Sequence, residues 1–282
     1  NKQKEPDWSK PENAAKRVRN NAPIETMAET PYAKRAIVQI PNQNAVGFEI
    51  PVDPRPIVPL RAILESDAFS AVTGKLPVAL GIDSRGEPYV GDLHKMPHLL
   101  VAGTTDSGKS VGMNSMLLSL LFHHNPEELR LILIDPKMIY FQPFHGIPHL
   151  LLPILSVLDE AINALLWTLD EMERRYQLFA DNHAKNLDSY NSKCLPADRM
   201  PRIVVCINEL ADLMLECSRD VENTVVRIAQ KARAGGIHMV VATQRPSTDV
   251  VTGLLKANFP ARLCYQTSSG IDSRTILGQN GA

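Results

Sequence analysis

No apolar run in this chain approaches the ~18–20 residues needed to cross a bilayer, so the sequence gives no sign of a spanning helix. The opening stretch, NKQKEPDWSKPENAAKRVRNN, is polar and has no apolar h-region, so it does not read as a secretory signal. Cysteine is sparse, and Cys194, Cys206, Cys217 and Cys264 show no C-x-x-C spacing. That spacing argues against a disulfide frame or a zinc site and for free thiols in a reducing compartment. Internal repeats are absent, and charge of neither sign dominates: the net charge is −1, which by itself says nothing about nucleic acid. With 44% apolar and 22% charged residues the composition is that of an ordinary globular protein, and 282 residues suffice for one large domain or two smaller ones.

Residues Gly103–Ser110 read GTTDSGKS, which fits the phosphate-loop pattern G-x-x-x-x-G-K-[ST]. Glycines let such a loop curl so that its N–H groups face an anion. In that reading Gly103, Thr104, Thr105, Asp106, Ser107 and Gly108 line the phosphates of ATP. Lys109 reaches the β- and γ-phosphates, and the Ser110 hydroxyl ligates Mg²⁺. The context suits the motif: His98–Ala102 is a short apolar run fit for a buried strand, and 111–124 carries apolar residues at helical spacing. Asp106 is the odd member. Its carboxylate either opposes the phosphates or turns to solvent.

The rest of the chain falls into three stretches. Residues 1–36 are polar and read as a linker with a helix fragment. Residues 37–95 read as a small α+β module, with hairpins expected at 37–50 and 76–90 and a short helix over 60–69. From residue 96 to 282 strand and helix patterns alternate. Strands are expected at 98–102, 131–134, 203–207, 239–242 and 263–266, with helices at 109–124, 158–179, 221–234 and 272–277. Such alternation predicts an α/β fold with a mainly parallel sheet covered on both faces. Residues 181–201, rich in Asn, Asp, Ser and Pro, read as an exposed excursion.

In such a sheet ligands collect at the carboxyl ends of the strands. Asp135 and Lys137, Asn208 and Glu209, and Thr243, Gln244 and Arg245 all fall there. The segment 203–209 has the form of four apolar residues followed by two acids, except that Asn208 replaces the first acid. In that arrangement the first acid anchors the Mg²⁺ shell and the second, here Glu209, polarises the attacking water. Asn208 can accept from a metal-bound water but brings no charge, so Mg²⁺ is expected to be held less firmly and hydrolysis to suffer more than binding. Gln244 suits a γ-phosphate sensor and equally a loop residue satisfying backbone groups. Arg233, in KARAGG, suits a finger reaching a neighbouring subunit's nucleotide, and on its own suits a helix C-terminus at least as well. Between Arg227 and Arg262 six basic residues face one acid, Asp249; this stripe fits a phosphate-contact surface or a solvated helix face.

Several longer segments resemble the motor of the FtsK/SpoIIIE family of double-stranded DNA translocases: KMPHLLVAGTTDSGKSVGMNSMLLSLL, LILIDPKM, EMERRYQL and, most specific, AQKARAGGIHMVVATQRPSTDVVTGLLKANFPARLCYQTSS. The resemblance covers roughly 37–282. It implies a RecA-like P-loop ATPase core assembled as a hexameric homo-oligomeric ring around duplex DNA, serving chromosome partition and cell division. It also implies a cytoplasmic motor, tethered to the inner membrane by a domain outside this sequence, with no membrane contact by this segment itself. Carried onto this sequence, it makes Glu209 the catalytic acid, Thr243 and Gln244 nucleotide sensors, and Arg233 the trans-acting arginine. Arg245 and Lys256, on the segment resembling the pore loop, become the DNA phosphate contacts. The family usually has Gly at position 106 and Asp at 208, and its motor continues beyond Ala282. The reading is therefore an ATP-driven translocase, C-terminally incomplete, whose hydrolysis is weakened at Asp106 and Asn208. Alternatives are a non-hydrolysing DNA clamp or scaffold and a coupling ATPase of conjugation or secretion.

Overall fold

A computed structural model describes residues 36–39, 46–49, 57–83 and 85–282. The linker expected over 1–36 lies outside these residues apart from Ala36. Compactness divides the chain into two units, residues 1–70 with 81–89, and residues 71–80 with 90–282. In the first unit β1 (Ala36–Gln39) and β2 (Val46–Glu49) pair antiparallel, the hairpin expected from the sequence. Two short helices follow, α1 (Leu60–Leu64) and α2 (Asp67–Ser70), where one was expected. Strands β3 (Pro77–Ile82) and β4 (Pro88–Asp92) make the second expected hairpin. Its turn is tied by the Asp83 carboxylate, which accepts from the Arg85 and Glu87 amides at 2.8 and 3.0 Å.

The second unit is built on five parallel strands in the order β6-β7-β8-β5-β9. In chain order the elements are β5 (His98–Ala102), α3 (Lys109–His123), β6 (Leu129–Ile134), α4 (Leu158–Asp181) and α5 (Leu187–Asn191). Then come β7 (Arg202–Ile207), α6 (Leu210–Lys231), β8 (Ile237–Thr243), α7 (Gly253–Asn258), β9 (Ala261–Cys264) and α8 (Gly270–Leu277). Alternate residues of each strand enter different cores, as a pleat with period two requires. Leu99, Val101, Leu131, Leu133, Val204 and Val240 pack against Met113, Met116 and Leu117 of α3. Leu100, Ile132, Val205, Met239 and Val241 pack against α4 and α6. Both faces are therefore covered, and each such Leu, Ile or Val contributes roughly 1.5–3 kcal/mol by leaving water.

Several boundaries differ from the sequence reading by a residue or two, and three differences are larger or have a visible cause. Helix α6 begins at Leu210, eleven residues before the expected start, because the Glu209 side chain caps it and a break at Cys217 (φ −137°, ψ 56°) separates its first turns from the rest. Strand β9 ends at Cys264, since Tyr265 leaves the ladder after its amide bonds Ala102 O at 2.8 Å. The 181–201 excursion holds a helix, α5, opened by a reciprocal Asn186–Ser189 cap, with Leu187 buried beneath it. All four cysteines are free; burial pushes the Cys206 thiol up to about 12.

At the amino-terminal end of the strands Arg175 of α4 is buried, donating to Pro201 O (2.9 Å), Gly235 O (2.8 Å) and Glu171 Oε1 (2.8 Å). It ties α4 to the loops entering β7 and β8. Burial, with the Arg174 charge, pushes its pKa down, while Glu171 opposes this; the guanidinium stays charged.

A nucleotide-type site at the carboxyl ends of the strands

Strand β5 delivers the Gly103–Ser110 loop, and Gly108 caps α3 with φ 93°, a left-handed conformation that Gly adopts without the Cβ penalty. Gly112 answers a different need. Its α-carbon lies under Tyr265, so closely that a Cβ would meet the hydroxyl at 1.7 Å. Thr104 donates from both its amide (3.0 Å) and its hydroxyl (3.1 Å) to Gln266 O, which fixes the loop to the segment after β9. Asp106 stands exposed at φ 61°.

Three neighbouring strands bring the remaining groups in. Lys109 is 2% exposed; its Nζ donates to Asn208 O at 3.1 Å and lies 3.7 Å from Glu209 Oε2. Burial lowers its pKa, and the Glu209 charge partly offsets that. The Glu209 carboxylate, itself buried, accepts from Thr243 Oγ1 at 2.7 Å, from the Gln244 amide at 2.9 Å and from the Ala211 amide at 3.3 Å. These bonds hold its position beside the buried lysine. Gln244 joins the loop to the strand ends: its Oε1 accepts from Thr105 Oγ1 at 3.1 Å, and its Nε2 lies 3.4 Å from Tyr140 OH. Tyr140 was missed in the sequence; only its place after the strand-end Asp135 hinted at it.

Asp135 and Asn208 end the paired strands β6 and β7 side by side, one step beyond the Ile134–Ile207 register pair. Both are buried, and Asn208 Nδ2 donates to Asp135 Oδ1 at 3.3 Å. The other oxygen, Asp135 Oδ2, accepts from the Tyr140 and Phe141 amides at 2.8 and 3.2 Å. Asn208 Oδ1 has no hydrogen-bond partner. Among the described residues no group of three or more His, Cys, Asp or Glu side chains is placed to hold a metal by itself.

Arg233 is not with these groups. It sits between α6 and β8, at the amino-terminal end of the parallel sheet and hence the opposite end from the loop. There it is exposed and lines a cavity of about 250 Å³ together with His94, Lys185, Asp188 and Arg202. This placement corrects the idea of a single basic stripe over 227–262. Arg227 faces Glu173 at 3.5 Å, and Arg262 turns inward to Phe259 O, Ile276 O and Lys256 O. Arg233 and Arg245 flank β8 at opposite ends. Arg245 is exposed beside Asp249 (3.9 Å), and Lys256 is half-buried on α7.

A glycine-bearing loop between a central parallel strand and a helix, with its lysine against a strand-end acid, defines the P-loop class of α/β nucleotide-binding folds. Within that class the FtsK/SpoIIIE family matches residues 59–248, and the chain belongs to it. It is 51% identical over 259 residues to a DNA translocase FtsK of Campylobacter jejuni, covering 91% of this chain and 27% of that protein. With the DNA translocase FtsK of Pseudomonas aeruginosa the identity is 48% over 272 residues, 88% of this chain and 34% of the other. The chain thus spans about a quarter to a third of the length of these relatives. Among solved structures it resembles the conjugation coupling protein TcpA of pCW3, determined with ATPγS (TM-score 0.64, 28% identity, 76% of this chain, 60% of the other). It also resembles the cytoplasmic domain of the type VII secretion ATPase EccC of Thermomonospora curvata (TM-score 0.66, 26% identity, 77% of this chain, 27% of the other).

Proposed function

We propose that this chain is the motor core of an ATP-driven double-stranded DNA translocase. The observation that carries the reading is the division of one catalytic set between the two ends of the sheet. Lys109, Glu209, Thr243 and Gln244 meet at the strand carboxyl ends, while Arg233 stands at the other. One copy therefore cannot bring Arg233 to its own loop, and a head-to-tail ring, hexameric as the family resemblance implies, completes the site from the neighbour. About 50% identity to proteins named DNA translocase supports the substrate, and favours it over the coupling role of the more distant structural relatives.

In this reading ATP phosphates lie against the backbone of 103–110. A β- or γ-phosphate attracts Lys109 Nζ away from Asn208 O, and Glu209 is then free to orient and accept a proton from the attacking water. Gln244, bonded to Thr105, registers the change in the loop. Ser110, in the first turn of α3, and the unpartnered Asn208 Oδ1 are the groups that fit Mg²⁺, the first directly and the second through a water. The ion neutralises charge on the β- and γ-phosphates. Arg233 of the adjacent copy stabilises the charge that develops on transfer. Arg245 and Lys256 face DNA phosphates, contacts that carry no sequence information and so suit travel over any duplex. The setting is cytoplasmic, with membrane attachment left to parts of the protein outside this sequence.

One observation favours a second reading. A neutral Asn208 in place of an acid would leave a ring that binds ATP and DNA without turnover, a clamp or scaffold. Steady-state ATP hydrolysis with and without duplex DNA, against Lys109→Ala, separates the two. DNA-stimulated turnover above that control is expected; turnover equal to it, with ATP still bound, would replace the motor by the clamp.

A further inference from the structure

The carboxyl ends of β6 and β7 carry a buried pair whose hydrogen bonding is one-sided. Asp135 has no exposure; its Oδ2 takes two backbone amides, so the group is an acceptor on that side. Its Oδ1 faces Asn208 Nδ2 at 3.3 Å. A carboxylate accepts only, which dictates the sense of the Asn208 amide: nitrogen toward Asp135, oxygen away. The Asn208 amide N–H is itself tied to Ile134 O at 3.0 Å, so the residue cannot swing out with its backbone. What remains is Asn208 Oδ1, an acceptor 1% exposed and without a partner, on the residue whose carbonyl holds Lys109. A buried amide oxygen left bare costs free energy unless something donates to it.

We propose that Asp135 is the positioning residue for the metal side of the nucleotide site: it locks Asn208 with its oxygen presented to a Mg²⁺-bound water and supplies the negative charge that Asn208 lacks. Asn208 and Asp135 then divide between them what a single strand-end acid does, one giving the acceptor and the other the charge behind it. The inference rests on the ATP-binding part of the proposed function and adds to it a second-layer residue. Partners in that layer are typically worth 10–100-fold in metal affinity. Asp135 touches no substrate; it acts through Asn208.

The orientation argument makes an exchange test possible. In Asp135→Asn the retained oxygen still accepts from Tyr140 and Phe141, but an amide nitrogen now faces the Asn208 nitrogen. Asn208 turns over to accept, and presents NH₂ where the metal-bound water needs an acceptor. In the double variant Asp135→Asn/Asn208→Asp the bond re-forms in the opposite sense and an oxygen again faces the site. The readout is binding of a fluorescent ATP analogue to the full chain, in EDTA and across a Mg²⁺ titration, with no turnover required. Affinity in EDTA is expected to stay within about twofold for all forms, reporting an intact loop. The Mg²⁺ concentration for half-maximal enhancement should rise at least about tenfold in D135N and return to within about threefold of the parent in the exchange variant. An unchanged Mg²⁺ response in D135N, or an exchange variant no better than D135N, overturns the proposal. If D135N does not fold, Asn208→Ala takes its place: loss of the Mg²⁺ enhancement in N208A with recovery in the exchange variant supports the pair, and an N208A response like the parent's overturns it. A parent that binds no nucleotide even in EDTA sinks the proposed function as well, a result distinct from an altered metal response.

Discussion

Acidification from pH 7 to pH 5 is expected to remove about 4 kcal/mol of folding stability through His98 and His238. Both rings are fully buried at the amino-terminal end of the sheet. Burial pushes His98 from 6.5 down to about 4, with the Arg233 charge adding to it. Burial likewise takes His238 to about 3, against the opposing effect of its bond to Pro97 O. Geometry argues the same way for His98, whose Nδ1 accepts the Met239 amide at 3.1 Å and so cannot carry a proton. In the unfolded chain both rings titrate near 6.5. Between about 6.5 and about 4, then, the unfolded state holds protons that the folded state refuses, and stability falls as pH falls. At about 1.4 kcal/mol per pH unit over roughly 1.5 units, each histidine costs about 2 kcal/mol by pH 5. His94 and His124, also lowered by burial, act in the same sense. The low-lying carboxylates do not compete in this window. Asp188 and Glu171 are raised by burial but brought below their usual values by Lys75 and by Arg174 and Arg175 respectively, so their contribution is lost only as pH falls through those lower values. Urea unfolding at pH 7, 6 and 5, at constant ionic strength, measures the effect. His98→Gln/His238→Gln should start less stable and show a flatter pH dependence. A parent that loses less than about 1 kcal/mol, or a double variant with the parent's slope, would refute the burial argument.

Three further outcomes follow from the site. Gly112→Ala places a Cβ 1.7 Å from the Tyr265 hydroxyl and 2.6 Å from Cζ. Relieving that contact costs about 1–3 kcal/mol, against a helix-propensity gain of about 1. Thermal unfolding should show a net loss that Tyr265→Leu partly recovers, and a more stable G112A would contradict the packing. Arg233→Ala should leave ATP affinity within about twofold but cut DNA-stimulated hydrolysis by roughly 10³, with partial recovery in rings mixed with Glu209→Gln subunits. Steady-state ATPase reads this, and a defect confined to ATP binding would remove Arg233 from its role. Arg245→Ala and Lys256→Ala should each lower the slope of log affinity for duplex DNA against log salt by about 0.9, read by anisotropy from ~50 to ~200 mM. An unchanged slope takes that residue out of the DNA surface.

The strand–loop–helix unit at 98–123 was legible because its signals are local. A five-residue apolar run, a four-position motif and helical apolar spacing each survive without tertiary context. The parallel sheet was legible from alternation for the same reason. Helix α6 was half missed, because the break at Cys217 hides the continuity of its first turns, which bury Leu210, Leu213 and Met214, with the rest. Tyr140 carried no motif, and Tyr265 stood in a resembling segment without a role of its own; one is placed by a bond to Gln244 and the other by the space above Gly112. The basic stripe failed in the opposite way. Residues near in sequence were dispersed, since a seven-residue strand, β8, separates Arg233 from Arg245.

By itself, then, the sequence determined the ligand class and the fold, through periodicity and a loop whose residues act on their own backbone. It also marked Asp106 and Asn208 as departures. The tertiary structure decided their surroundings. Asp106 is exposed on the loop, whereas Asn208 lies buried against Asp135 with an oxygen unpartnered. Which groups share one end of the sheet, and that Arg233 stands at the other, depends on strand order and direction, and these are fixed by long-range pairing that no local pattern encodes.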